Sequence, residues 1–149
     1  MASTAPKSRS DAAEHLKAVA LQLFAEKGID GVTVRQIADA AGQKNHAVVG
    51  YYFGSKEALV RELIVDGARA IDVRRNAWLD ACEAKGGPHN VAEVIEGMIE
   101  TSLDPEANPG DESFNRFFTL LGLSHRAFFM ESLEGRWNTG YQRCLDHLR

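Results

Sequence analysis

Several features are scarce or missing in this sequence, and each shortage removes a class of protein. Two cysteines, Cys82 and Cys144, occur in 149 residues, too few for the disulfide framework of a small secreted domain. They read as free thiols in a reducing compartment. No apolar run approaches the roughly 20 residues that a membrane-spanning helix needs. The first ten residues are polar and lack the apolar stretch of a secretory signal, so the chain is expected to stay in the cytoplasm and off the membrane. A glycine-rich phosphate loop, a nucleophile elbow and a paired-carboxylate or metal motif are all missing, which argues against an enzyme and against a cofactor. The cluster Cys144, Asp146 and His147 is too short to make a tetrahedral metal site.

Positive charge is also scarce, with a net charge of −4. Its distribution is uneven. Residues 1–64 carry eight Lys/Arg against seven acids, whereas the remainder carries nine against fourteen. The front of the chain can approach phosphates, and the acidic remainder faces elsewhere. At 44% hydrophobic and 26% charged residues, the composition is that of an ordinary globular protein.

Helical periodicity dominates, with no sustained alternation of the strand type. Leu16, Val19, Ala20, Leu23 and Phe24 share one helical face, which Gly28 terminates. Thr33 and Gln36 form a capping box opening a short helix with Val34, Ile37, Ala38 and Ala41 inward and Gly42 at its end. Asn45 is the expected cap of the next helix, which runs to about Tyr51 and buries Val48. Ser55 caps a long fourth helix, expected to reach about Cys82, with Leu59, Leu63, Ile64, Ala70 and Ile71 along it. After the breaker at residues 85–88, Val91, Val94, Ile95, Met98 and Ile99 repeat the amphipathic pattern. An acidic loop at 104–110 follows, then a face of Phe114, Phe117, Phe118 and Leu121. A last helix carries Leu133, Trp137, Tyr141, Leu145 and Leu148. The reading is all-α, with about seven helices.

Three short helices with a tight glycine turn between the second and third make a helix-turn-helix. The third helix must offer short polar side chains at its N-terminal end, because that end enters the major groove. Residues 33–42 resemble the second helix and turn of TetR-family regulators, and residues 51–59, with the pair Tyr51 and Tyr52 followed by Lys56, resemble the segment that closes the family's recognition helix. Phe24 and Gly28 match the end of its first helix. The similarity spans about residues 12–64. Two departures stand out: the turn through Gln43, Lys44 and Asn45 is one residue longer than the commonest form, and Gly50 replaces a side chain that often touches phosphate.

The resemblance implies a domain plan: a disordered arm at 1–10, a helix-turn-helix DNA-binding domain at 11–55, and a helical regulatory domain at 56–149, expected to be incomplete at its C-terminus. It implies that Thr33 and Arg35 meet phosphates, that Lys44, Asn45 and His46 lie nearest the base edges, and that Tyr51, Tyr52 and Lys56 clamp the backbone. One tyrosine of the pair is expected to pack inward. Thr33, Asn45 and Ser55 are also caps whether or not they touch DNA. Phe114, Phe117, Phe118, Phe128, Phe129 and Trp137 would surround a pocket for a small-molecule effector; the same residues also suit an ordinary bundle core. By resemblance the protein is a homodimer on a palindromic operator in double-stranded DNA, a repressor released by its effector. The competing reading is a helical ligand- or partner-binding module whose head no longer reads DNA.

Overall fold

The computed structural model describes residues 9–107 and 112–149. Residues 1–8 of the expected arm, and residues 108–110 of the acidic loop, lie outside the described residues; Arg9 and Ser10 already belong to a helix. The described residues form eight helices and no strand: α1 (Arg9–Lys27), α2 (Val34–Ala40), α3 (Val48–Phe53), α4 (Lys56–Ala84), α5 (Val91–Ser102), α6 (Ser113–Ser124), α7 (Arg126–Leu133) and α8 (Thr139–Leu148). The all-α expectation holds. The count of seven does not, because the expected last helix is broken. Glu134 and Gly135 adopt left-handed conformations at φ 49° and 69°, which end α7 and turn the chain into α8.

Local chemistry accounts for the first boundaries. Leu16, Ala20 and Phe24 are spaced four apart on α1 and are all but inaccessible. The Thr33 box is present in full: the Gln36 amide donates to Thr33 Oγ1 at 3.1 Å, and the Thr33 amide donates to Gln36 Oε1 at 2.8 Å. Ile37 and Ala38 point inward as expected, but Val34 is exposed and Val32, just before the cap, is buried in its place. Val34 occupies the first helical position, one turn short of the core. At the far end Gly42, at φ 74°, lets the Gln43 amide reach Ala38 O at 2.9 Å, the closing pattern that favours glycine.

α4 is the axis of the molecule, contacting α1, α3, α5, α7 and α8. Ser55 caps it, its Oγ accepting from the Ala58 amide at 3.0 Å. Leu59, Val60, Leu63 and Ile64 bury against the first three helices, while Ile71 and Leu79 bury further along; Ala70, expected inward, is exposed. α1 packs extensively on α6. There Phe24 stacks on Phe117, ring centroids 6.1 Å apart. One apolar cluster therefore runs from Leu16 and Ile37 through Leu59 and Ile64 to Phe117, Leu121 and Leu133. Polar contacts flank this seam: Lys17 of α1 is paired with Asp66, Glu14 and Glu62, and His125 Nε2 lies 3.2 Å from Asp30 Oδ2. Burial works against the Lys17 charge, but its bonds to Asp66 and Glu14 outweigh it and raise its pKa.

α5 does not present its widest apolar arc to α4. Val91, Ile95 and Ile99, expected inward, are exposed, while Val94, Gly97 and Thr101 are buried. Gly97 sets this orientation, since a Cβ there would fall 2.1 Å from Cζ2 of Trp78. Leu79, Val94 and Cys144 form a second small core beside Trp78 and Met98.

Two expectations follow. Gly97→Ala should force the Trp78 ring aside and lower stability by roughly 1–3 kcal/mol, read as a lower thermal midpoint. Both cysteines are free thiols, Cys82 half-buried and Cys144 buried, and burial pushes the Cys144 thiol pKa up. An alkylating reagent should therefore label Cys82 in the native protein and Cys144 only after unfolding; equal labelling rates would contradict this packing.

Candidate nucleic-acid interface

The expected DNA-facing residues sit at the start of α2, in the α2–α3 turn, on α3 and at the start of α4. Thr33 and Arg35 are exposed at the start of α2, and Lys44 and Asn45 are exposed in the turn. Lys56 is half-buried as the first residue of α4, a helix whose free N-terminal amides favour an anion. Arg35, Lys44 and Lys56 enter no ion pair or side-chain hydrogen bond among the described residues, whereas Lys17, Arg61 and Arg143 are all tied to carboxylates. Cations on the head without such partners leave their charge available to phosphate.

The start of α3 differs from expectation. Asn45 does not cap it; Ala47 occupies that position and supplies no side-chain bond. Asn45 Oδ1 instead accepts from the Ala47 amide at 3.0 Å, and the Val48 amide reaches Asn45 O at 3.3 Å. Asparagine readily bonds to the backbone two residues on, so it makes a turn that leads into the helix. The helix runs to Phe53, two residues past Tyr51, and buries Val48 and Val49. His46 is half-buried, with Nε2 2.7 Å from Asp39 Oδ1 of α2, a contact that pins the turn against α2.

The tyrosines divide as the sequence suggests. Tyr51 is 72% exposed, while Tyr52 is half-buried against the core, the rings meeting edge to face at 5.0 Å. A Cβ at Gly50 would meet nothing within 4 Å among the described residues. A phosphate backbone can approach the main chain at that position without a side chain between them.

This head is a helix-turn-helix, with α2 capped and braced on α1, a turn carrying Lys44 and Asn45, and α3 seated on Val48 and Val49. The family model described as bacterial regulatory proteins, tetR family, matches residues 16–63, from Leu16 of α1 to Leu63 of α4. Over these residues the head is similar to the tetR family of bacterial regulatory proteins. No curated protein matches the chain.

Beyond the head, a cleft of about 1120 Å³ opens among α4, α5, α6, α7 and α8, larger than the usual few hundred to roughly 1,000 Å³ of a small-molecule site. Of the six aromatics expected around a pocket, Phe118, Phe129 and Trp137 line it. The other three serve elsewhere. Phe117 belongs to the seam with α1, at 1% exposure. Phe114 covers Gly67, where a Cβ would fall 1.9 Å from its ring, and Phe128 carries the Arg61 guanidinium 5.0 Å from its centroid. Helices as short as α6 and α7 face both the core and the cleft, so only part of each apolar face is available to a ligand.

The sequence reading missed Asp72 and Arg75, two buried charges on α4 that also line the cleft. The available signal was that they continue the inward period of Ile64, Ala68 and Leu79. Asp72 accepts from the Gly140 amide at 2.8 Å and from Thr139 Oγ1 at 3.0 Å, so a carboxylate of α4 satisfies the positive end of α8. Arg75 donates to Thr101 Oγ1, Met98 O and Ser102 Oγ, and so meets the negative end of α5. Among the described residues no group of three His, Cys, Asp or Glu could hold a metal ion, and no helix is long and apolar enough to cross a membrane.

Thr33→Ala removes one half of the α2 box and should cost about 1 kcal/mol, measured as a lower urea midpoint. An unchanged midpoint would mean that the box contributes nothing to the head.

Proposed function

We propose that this protein is a sequence-specific transcriptional regulator in the cytoplasm, a repressor that binds a palindromic operator as a homodimer and is released by a small-molecule effector. The observation that carries the DNA-binding part is that Arg35, Lys44 and Lys56, which have no ion-pair partner among the described residues, sit on a helix-turn-helix similar to that of the matched family. In this reading Thr33, Arg35, Tyr51 and Lys56 position the head on phosphates, with Tyr52 bracing Tyr51 from inside. Lys44 and Asn45 stand ahead of α3, where the polypeptide enters the major groove, and offer a cation and an amide to base edges. His46 contributes chiefly by holding the turn through Asp39. The cations Arg35, Lys44 and Lys56 favour this reading over a head that has lost DNA binding.

Release is proposed to act through the seam. An effector in the cleft touches α6 through Phe118 and α7 through Phe129. α6 carries Phe117 against Phe24 of α1, and His125, between α6 and α7, faces Asp30 of the head. A small shift of α6 is then passed to the head as a tilt. Two recognition helices must reach successive grooves about one turn, roughly 34 Å, apart, so a modest tilt of each head prevents simultaneous docking.

Selection of bound fragments from genomic DNA at near-physiological salt tests the proposal: a palindrome with half-sites one turn or a multiple apart is expected, and no enrichment from folded protein contradicts it. With an enriched site in hand, Lys56→Ala should weaken binding similarly across operator variants and reduce the slope of log affinity against log salt by about one unit. Lys44→Ala should also relax discrimination at one base position, by roughly 1–3 kcal/mol.

A further inference from the structure

Arg75 is 8% exposed, yet no carboxylate lies within ion-pair distance of it among the described residues. Its Nε donates to Thr101 Oγ1 at 3.0 Å, and its Nη2 to Met98 O at 2.9 Å and Ser102 Oγ at 2.8 Å. These acceptors are neutral. Its Nη1 has no partner among the described residues. Asp72, one turn earlier, is committed to the start of α8 through Thr139 and Gly140. Desolvation by burial lowers the Arg75 pKa, but a guanidinium stays charged in a protein. A buried cation is ordinarily matched by an anion, because desolvation is otherwise uncompensated. The C-terminal dipole of α5 and the nearby Asp72 carboxylate, which is not in ion-pair contact, each offset part of this charge.

The cleft around Arg75 is predominantly apolar, with Ile71, Ile95, Met98, Ile99, Phe118 and Phe129 on its walls. Two further cations, Arg116 and Arg126, line it without a partner among the described residues, against Glu112 as the remaining acid. Trp137, also on the wall, has its indole Nε1–H buried with no acceptor among the described residues, and its backbone sits at φ 58°, a region costly for a bulky side chain. An orphaned donor and a strained backbone at the same residue mark a wall element with something to gain from a ligand.

We propose that the effector of this cleft is an amphipathic organic anion, a carboxylate on an apolar body, whose carboxylate is taken by Arg75. The proposal rests on the reading of the cleft as the effector site. The apolar body lies along α5, α6 and α7, and the carboxylate meets the open edge of the guanidinium. An anion there supplies the charge that Thr101, Ser102 and the Met98 carbonyl cannot. Arg116 and Arg126 raise the local concentration of anions from the rim without being the anchor.

Calorimetric titration of the whole chain with decanoate, 1-decanol and decyltrimethylammonium, below micelle formation, tests this. Decanoate is expected to bind about tenfold or more tighter than either analogue, as charge-assisted hydrogen bonds imply. Arg75→Gln should reduce that preference to near unity, whereas Arg116→Gln with Arg126→Gln should leave most of it. Equal binding of 1-decanol and decanoate to the unaltered protein overturns the proposal while leaving the cleft as an effector site. This comparison needs no variant, so it holds even if Arg75→Gln fails to fold. Loss of the preference in the rim double variant but not in Arg75→Gln overturns the assignment to Arg75. N-phenyl-1-naphthylamine, a neutral fluorescent probe, separates the two readings if decanoate does not bind: binding of the probe alone overturns only the anion proposal, and binding of neither overturns the effector cleft as well.

Discussion

Phe24, on the last turn of α1, stacks on Phe117 of α6, and this seam leaves the helix-turn-helix head without a separate core. Three helices of 19, 7 and 6 residues bury little surface by themselves, and domains this small are marginal. Here their apolar side chains join those of α4, α6 and α7 in one cluster. The stability of the head is thus partly lent by the body. The same contact that stabilises the head also ties its orientation to α6. A densely packed interior transmits a shift instead of absorbing it, which is the physical route on which the proposed release by an effector beside α6 rests.

α4 supplies the second constraint. Its early residues complete the head core, and its later ones place two buried charges against the ends of other helices, Asp72 on the start of α8 and Arg75 on the end of α5. Around them the outer face of α4 is joined to α8 by Arg143, which bonds Asp80 at 2.9 Å and Glu83 at 3.0 Å, and by His147, which bonds Glu83 at 2.9 Å. The hydrogen bond from His147, with Arg143 adding to it, lowers the Glu83 pKa despite some desolvation. Such exposed pairs contribute little each. The two buried charges matter more, each through its own bonds: Asp72 holds the start of α8 and Arg75 the end of α5, and the cleft lies between the helices so placed.

The head was largely legible because its signals are local. The Thr33 box, the glycines closing α1 and α2, and the Ser55 cap each depend on residues within one turn of one another. Asn45 was misread for the same reason, since cap and turn differ only by which nearby amide the side chain reaches. The body was less legible because its faces are settled by partners distant in sequence. Ile95 and Ile99 look like core residues until Gly97 is seen to take the contact with Trp78. Phe114, Phe117 and Phe118 read as one aromatic face, yet Gly67, Phe24 and the cleft each claim one of them. The break after Leu133 had a local signal, Gly135, but the apolar spacing on either side concealed it.

Native-state hydrogen exchange, followed residue by residue, tests most directly whether head and body form one cooperative unit. The account predicts that the best-protected amides of α1 and α6 open with free energies agreeing to within about 1 kcal/mol, as members of one unfolding unit do, and that Phe117→Ala lowers both by the same amount. Opening of α1 well below α6, with only α6 responding to Phe117→Ala, would contradict it: the head would then be an independent domain, and the seam could not carry a signal from the cleft to DNA.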